Sequence, residues 1–128
     1  MDLYREIILD HYKPPRNFGE LEKPDAKASE YNTTCGDRIS IEVRVNASTR
    51  QRIDDICFSG VGCAISMASA SMLTEKVTGM RLKDVLALGT NDIVNMLGTE
   101  LTPSRTKCAL LPLEVLQKAV LSLQTHNG

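Results

Sequence analysis

The chain has 128 residues, with 15 Lys and Arg against 16 Asp and Glu and four cysteines. That length makes a single domain over residues 1–128, able to bury a core without a disulfide or a metal as a requirement. A net charge of −1, no basic block and only five aromatic residues argue against nucleic-acid binding, and a charged start with no long apolar run argues against a signal sequence or a membrane span. A soluble, cytoplasmic protein is expected, whose thiols stay reduced and serve metal or redox chemistry.

Residues 2–12 carry Leu3, Tyr4, Ile7, Ile8 and His11 at the spacing of a short amphipathic helix, which Pro14-Pro15 ends. His11 falls at that helix's end and His126 in the tail, and neither is a first choice as a ligand. Residues 16–24 read as an irregular connection anchored by Phe18 and Leu21, and residues 27–32 as an edge strand. Ile39, Ile41, Val43 and Val45 alternate with Ser40, Glu42 and Arg44, the period of a strand with one face on a core. A polar turn over residues 46–50 returns the chain through residues 53–58, so the two strands form an antiparallel hairpin. Gly60 and Gly62 are expected to end the second strand and feed a helix from near Cys63 to about Val77, with Thr78-Gly79 as its exit. Residues 82–88 and 91–97 are short helical segments, the second capped by Thr90 or Asn91. After Ser104 comes a last helix, with Leu113, Leu116, Val120 and Leu123 as its buried stripe. Pro112 in that helix deletes the bond to the Cys108 carbonyl, so a local kink is expected beside that cysteine. The order of elements predicts an α+β fold, a small antiparallel three-stranded sheet with helices packed on one face.

Cys63 at a helix N-terminus has free N–H groups and the positive dipole end beside it, which favour the thiolate. Cys35 precedes the first strong strand and Cys63 follows the second. Both fall at the same end of the hairpin although 27 residues separate them. Asp37 can reach that point from a turn at Gly36, and Cys108 would complete three sulfurs and one oxygen if the last helix crosses there. No CxxC pair occurs, so spacing alone is also compatible with core thiols and a turn-forming aspartate. Cys57 alternates out of phase with Ile56 and Phe58 and reads as a residue of the less buried strand face, not a ligand.

The segments Cys35-Gly36-Asp37, Gly60-Val61-Gly62-Cys63-Ala64-Ile65-Ser66 and Ser104-Arg105-Thr106-Lys107-Cys108-Ala109 resemble the three signature segments of the iron-sulfur cluster assembly scaffolds, the IscU, SufU and NifU N-terminal-domain family. The opening Asp10-His11-Tyr12-Lys13-Pro14-Pro15-Arg16-Asn17 is similar to that family's first segment, so the resemblance spans nearly the whole chain. It implies a SufE/NifU-like fold and a carrier rather than an enzyme. Such a scaffold receives persulfide sulfur from a cysteine desulfurase and iron from an iron donor. It holds a labile [2Fe-2S] cluster and passes it to apo iron-sulfur proteins. Cys35, Cys63 and Cys108 would be the cysteine ligands and Asp37 the weaker oxygen ligand that keeps the site exchangeable. Zn2+ is the alternative occupant, since a thiolate-rich tetrahedron suits it unchanged.

Two departures leave the branch of the family open. Lys107 stands where IscU-type members carry a histidine, as in the SufU type, and a protonated lysine cannot ligate metal. Only 44 residues separate Cys63 from Cys108, as in the IscU type, without the insertion usual in SufU-type members. The Leu101-Thr102-Pro103-Ser104-Arg105 segment keeps only the leucine and one proline of the IscU chaperone-recognition loop, which argues against a dedicated Hsp70-type partner. Two functions follow, a [2Fe-2S] scaffold, with a homo-oligomer compatible with the cluster-bound state, or a zinc-containing sulfur acceptor. In the second, Cys108 takes the persulfide, assisted by the Lys107 charge beside it. A zinc hydrolase is disfavoured, because no His-x-Glu or His-Glu-x-x-His spacing occurs.

Overall fold

The structure is a computed structural model that describes residues 15–33, 36–98 and 100–126. The helix expected over residues 2–12, with His11, lies outside the described residues, and so does Cys35. Alternation in the sequence becomes three strands, β1 (Ala26–Asn32), β2 (Asp37–Val45) and β3 (Ile53–Val61), antiparallel in the order β1-β2-β3. In β2, Ile39, Ile41, Val43 and Val45 are buried on one face, whereas Arg38, Ser40 and Arg44 lie on the other. Val45 pairs with Ile53 but Arg44 with Asp55, so one extra residue is taken up in β3. This irregularity lets Ile53 and Ile56, three apart, both enter the core.

β3 runs past Phe58, beyond the end expected at Gly60. Gly60 pairs with Ile39 and Val61 with Arg38. At Gly60 φ is +133°, and a Cβ there would run into the Arg38 carbonyl. Glycine at this position does not break the strand; it lets the strand continue through a conformation closed to other residues. The stretch expected to be irregular is partly tied to the same strand, for Gly19 donates its N–H to the Phe58 carbonyl and Phe58 donates to that of Asn17. Phe18 stands edge-on to Phe58 with ring centroids 5.3 Å apart, but remains half exposed.

Among the described residues, four helices cover the inward face, α1 (Ala64–Val77), α2 (Leu82–Leu86), α3 (Thr90–Leu97) and α4 (Pro103–His126). The stripe Leu113, Leu116, Val120 and Leu123 is buried, and α4 lies against β1, β2 and α1. Small residues let α1 and α4 approach closely. Ser69 donates its hydroxyl to the Ala109 carbonyl at 2.6 Å, and the Ser66 hydroxyl lies 3.0 Å from the Cys108 carbonyl. Pro112 sits inside α4 and has no N–H for that same Cys108 carbonyl, and the helix continues through it. Gln117 of α4 donates its amide to the carbonyls of Val85 at 3.1 Å and Leu88 at 2.9 Å, which satisfies the end of α2.

Three boundaries differ from expectation. Gly89, not Thr90 or Asn91, caps α3, and the Asp92 carboxylate accepts its N–H at 2.8 Å. α2 stops at Leu86, two residues short of Leu88. α4 begins at Pro103, whose fixed φ suits a first turn, so Ser104 lies inside the helix rather than before it. The α+β layering otherwise follows the expected order, and no helix among the described residues is long and apolar enough to cross a membrane.

Candidate metal centre

Asp37 opens β2 instead of sitting in a turn, and it continues the inward-facing set that holds Ile39, Ile41, Val43 and Val45. Its carboxylate is therefore directed under the helices and is only 1% exposed. Both oxygens are engaged. The backbone N–H of Cys63 donates to Oδ1 at 2.9 Å, and the Ser66 hydroxyl donates to Oδ2 at 2.5 Å. Gly62 permits this approach, because a Cβ there would lie 3.3 Å from Asp37 Oδ1 and 3.1 Å from the Ser66 Cβ.

Cys63 is the N-cap of α1, in extended conformation, and its sulfur accepts the Ser66 N–H at 3.5 Å. The thiol is exposed. Cys108, near the start of α4, is 5% exposed. The ligating atoms of Asp37, Cys63 and Cys108 all lie within 4.8 Å of one another, the single such group among the described residues. A tetrahedral zinc with bonds of about 2.3 Å to sulfur and about 2.0 Å to oxygen holds such ligands about 3.5 Å apart. Cys63 Sγ lies 3.7 Å from Asp37 Oδ2, a spacing that fits zinc; the Cys108 sulfur is in a disulfide in this structure and joins the donor set on reduction.

Lys107 is exposed, on the rim of an open depression of about 290 Å³ that Tyr31 and Leu111 also line. Cys57 is half-buried on the outer face of the sheet, opposite Glu42, as its phase in the strand required. Burial pushes its thiol pKa up, and the negative charges of Asp55 and Glu42 add to the shift. It is a poor thiolate. Sequence reasoning gave Ser66 no part in the site, yet its place three residues after the capping Cys63, one helical turn on, is the signal that sets it beneath the sulfur.

The NifU-like N terminal domain family matches residues 3–128. The chain belongs to this family. Among NifU-like relatives, the zinc-dependent sulfurtransferase SufU of Bacillus subtilis is 36% identical over 142 residues, covering 98% of this chain and 94% of that protein. The iron-sulfur cluster assembly scaffold protein IscU of Aquifex aeolicus is 38% identical over 125 residues, covering 98% and 78%. The crystal structure of a SUF-system scaffold candidate from Fervidobacterium islandicum AW-1 superposes with a TM-score of 0.78 at 27% identity, covering 90% of this chain and 94% of that one. The three-stranded sheet with its one-sided helices is the SufE/NifU-like fold. At the level of the family, this NifU-like chain is a scaffold that handles sulfur and iron-sulfur clusters.

Proposed function

We propose that the chain is a zinc-containing sulfur acceptor of the SufU type. The observation that carries this is the convergence of Asp37, Cys63 and Cys108 from a strand end, a helix cap and a second helix onto one point. Its likeness over almost the full length to a relative named as a zinc-dependent sulfurtransferase supports it. Asp37, Cys63 and Cys108 hold the ion, with Cys35 as the fourth ligand, and bound zinc keeps thiols deprotonated at neutral pH. The sulfur donor is a protein persulfide, carried by a cysteine desulfurase. An acceptor thiolate attacks the outer sulfur of that persulfide, the donor's S–S bond breaks, and the donor leaves as a thiolate. The acceptor now carries the persulfide, with no net oxidation.

Cys108, once its disulfide is opened by a thiol reductant, is the acceptor, assisted by the Lys107 charge, and Cys63 is the exposed free thiol that an incoming donor meets first. A single-turnover transfer of labelled sulfur from a desulfurase persulfide tests this. Label on wild type but not on Cys108→Ser supports the assignment, while label retained by Cys108→Ser moves the role to another thiol. The persulfide sulfur is then passed towards apo iron-sulfur proteins.

A second reading, a scaffold that carries a [2Fe-2S] cluster as cargo, is favoured by one observation. The match to the Bacillus relative extends over 142 residues although this chain has 128, whereas the match to the Aquifex scaffold extends over 125. The chain thus lacks residues that the SufU relative has within the matched span. Metal analysis and a visible spectrum after purification without oxygen separate the two. Colourless protein with zinc supports the acceptor, and brown protein with iron and acid-labile sulfide in equal amounts supports the scaffold.

A further inference from the structure

Ser66 is fully buried, and its side chain touches all three residues of the metal centre. The hydroxyl oxygen lies 2.5 Å from Asp37 Oδ2, 3.0 Å from the Cys108 carbonyl oxygen, and 3.7 Å from Cys63 Sγ. These partners belong to β2, α4 and the cap of α1. Contact with each of the three elements that bring a ligand goes beyond what packing of a small side chain requires.

We propose that Ser66 is the positioning residue of the centre, which fixes the aim of the Asp37 carboxylate. The inference rests on the site holding a metal. An aspartate carboxylate turns easily about its last torsion, whose preferences are broad and two-fold. Here Cys63 N–H grips Oδ1 and Ser66 grips Oδ2, so the plane is pinned from both ends. Oδ2 is the oxygen facing the Cys63 sulfur. A carboxylate oxygen has two lone pairs, so Oδ2 accepts the serine hydrogen while its other lone pair serves as ligand. The serine has one hydrogen and a second acceptor in the Cys108 carbonyl, so the carboxylate is referenced to the backbone of the third ligand. Partners of this kind govern affinity as the ligands themselves do, and their loss typically costs about 10–100-fold.

The test compares wild type, Ser66→Ala, Asp37→Ala and the double variant by zinc affinity in chelator competition, by the visible bands of the cobalt(II) forms, and by circular dichroism of the metal-free proteins. Ser66→Ala is expected to bind zinc about 10–100-fold more weakly and to shift the cobalt bands. In the Asp37→Ala background the serine's effect should shrink to about two-fold or less, because a residue acting through Asp37 has nothing left to position. Unchanged affinity of Ser66→Ala, or the same loss with and without Asp37, overturns the proposal. A Ser66→Ala protein that is unfolded with or without zinc also overturns it, by assigning the serine to the core. Wild type that takes up no zinc refutes the metal-centre reading itself, an outcome distinct from a wild type and variant that bind alike.

Discussion

Replacing Gly60 by alanine should be among the costliest single-methyl changes in this chain, and two other glycines provide its scale. At Gly79 φ is +88° with open space around the added carbon, so alanine there incurs backbone strain alone, about 1–2 kcal/mol. At Gly89 neither positive φ nor a nearby atom opposes alanine, and only a weaker helix cap is lost, at most about 1 kcal/mol. Gly60 combines φ of +133° with a Cβ that would overlap the Arg38 carbonyl and lie 3.2 Å from the Ile39 Cα. Both obstacles are backbone atoms of the central strand, which no side-chain rotation can clear. The strands must part at their site-bearing end, for a total of about 3 kcal/mol or more against a whole-domain stability of about 5–15 kcal/mol. Urea unfolding of the metal-free proteins, followed by circular dichroism, gives the three differences from midpoint and slope. The reasoning fails if Gly60→Ala costs no more than Gly79→Ala, for the overlap with Arg38 would then carry no energy.

Cys63→Ser should lose zinc, because it removes the capping thiolate from the ligand group, and metal analysis of the purified variant is the check. Leu116, fully buried in the α4 stripe, should cost about 2–5 kcal/mol when cut to alanine, measured by the same urea titration. Cys57 should react with iodoacetamide only as pH climbs above the range of an ordinary thiol, since burial, Asp55 and Glu42 all favour its protonated form. Asp55→Asn should move that alkylation profile to lower pH, and an unmoved profile would remove Asp55 as a cause. Asp37→Ala should leave the fold intact and slow the release of any cluster the protein carries, followed as transfer to an apo-ferredoxin.

The hairpin, the helix starting at Cys63 and the α4 stripe were all legible, because each rests on a local period or a capping position. What was not legible depends on contacts between distant segments. Gly60 looks like a strand end in sequence, and only its pairing with Ile39 makes it a strand residue. Asp37 after Gly36 looks like a turn residue, and its burial follows from the inward phase of β2, which the sequence marks from Ile39 onward but not back to residue 37. Three of the site residues were named from their segments, yet Ser66 passed as one small residue in a run of them. Its role exists only once β2 and α4 meet α1. Pro112 predicted a disturbance beside Cys108, but not that the serines of a neighbouring helix would face the carbonyls there.

Because Asp37 shares the parity of the four core residues that follow it, ligand and core are written in one reading frame of β2. A slip of the strand by a single place would turn Ile39, Ile41, Val43 and Val45 to water and, in the same movement, replace the carboxylate beneath the helices with the guanidinium of Arg38. A misregistered chain would thus present a cation at the candidate metal centre. Metal capture at the proposed centre would in this sense act as proofreading, open only to chains whose sheet has already zipped in the correct frame.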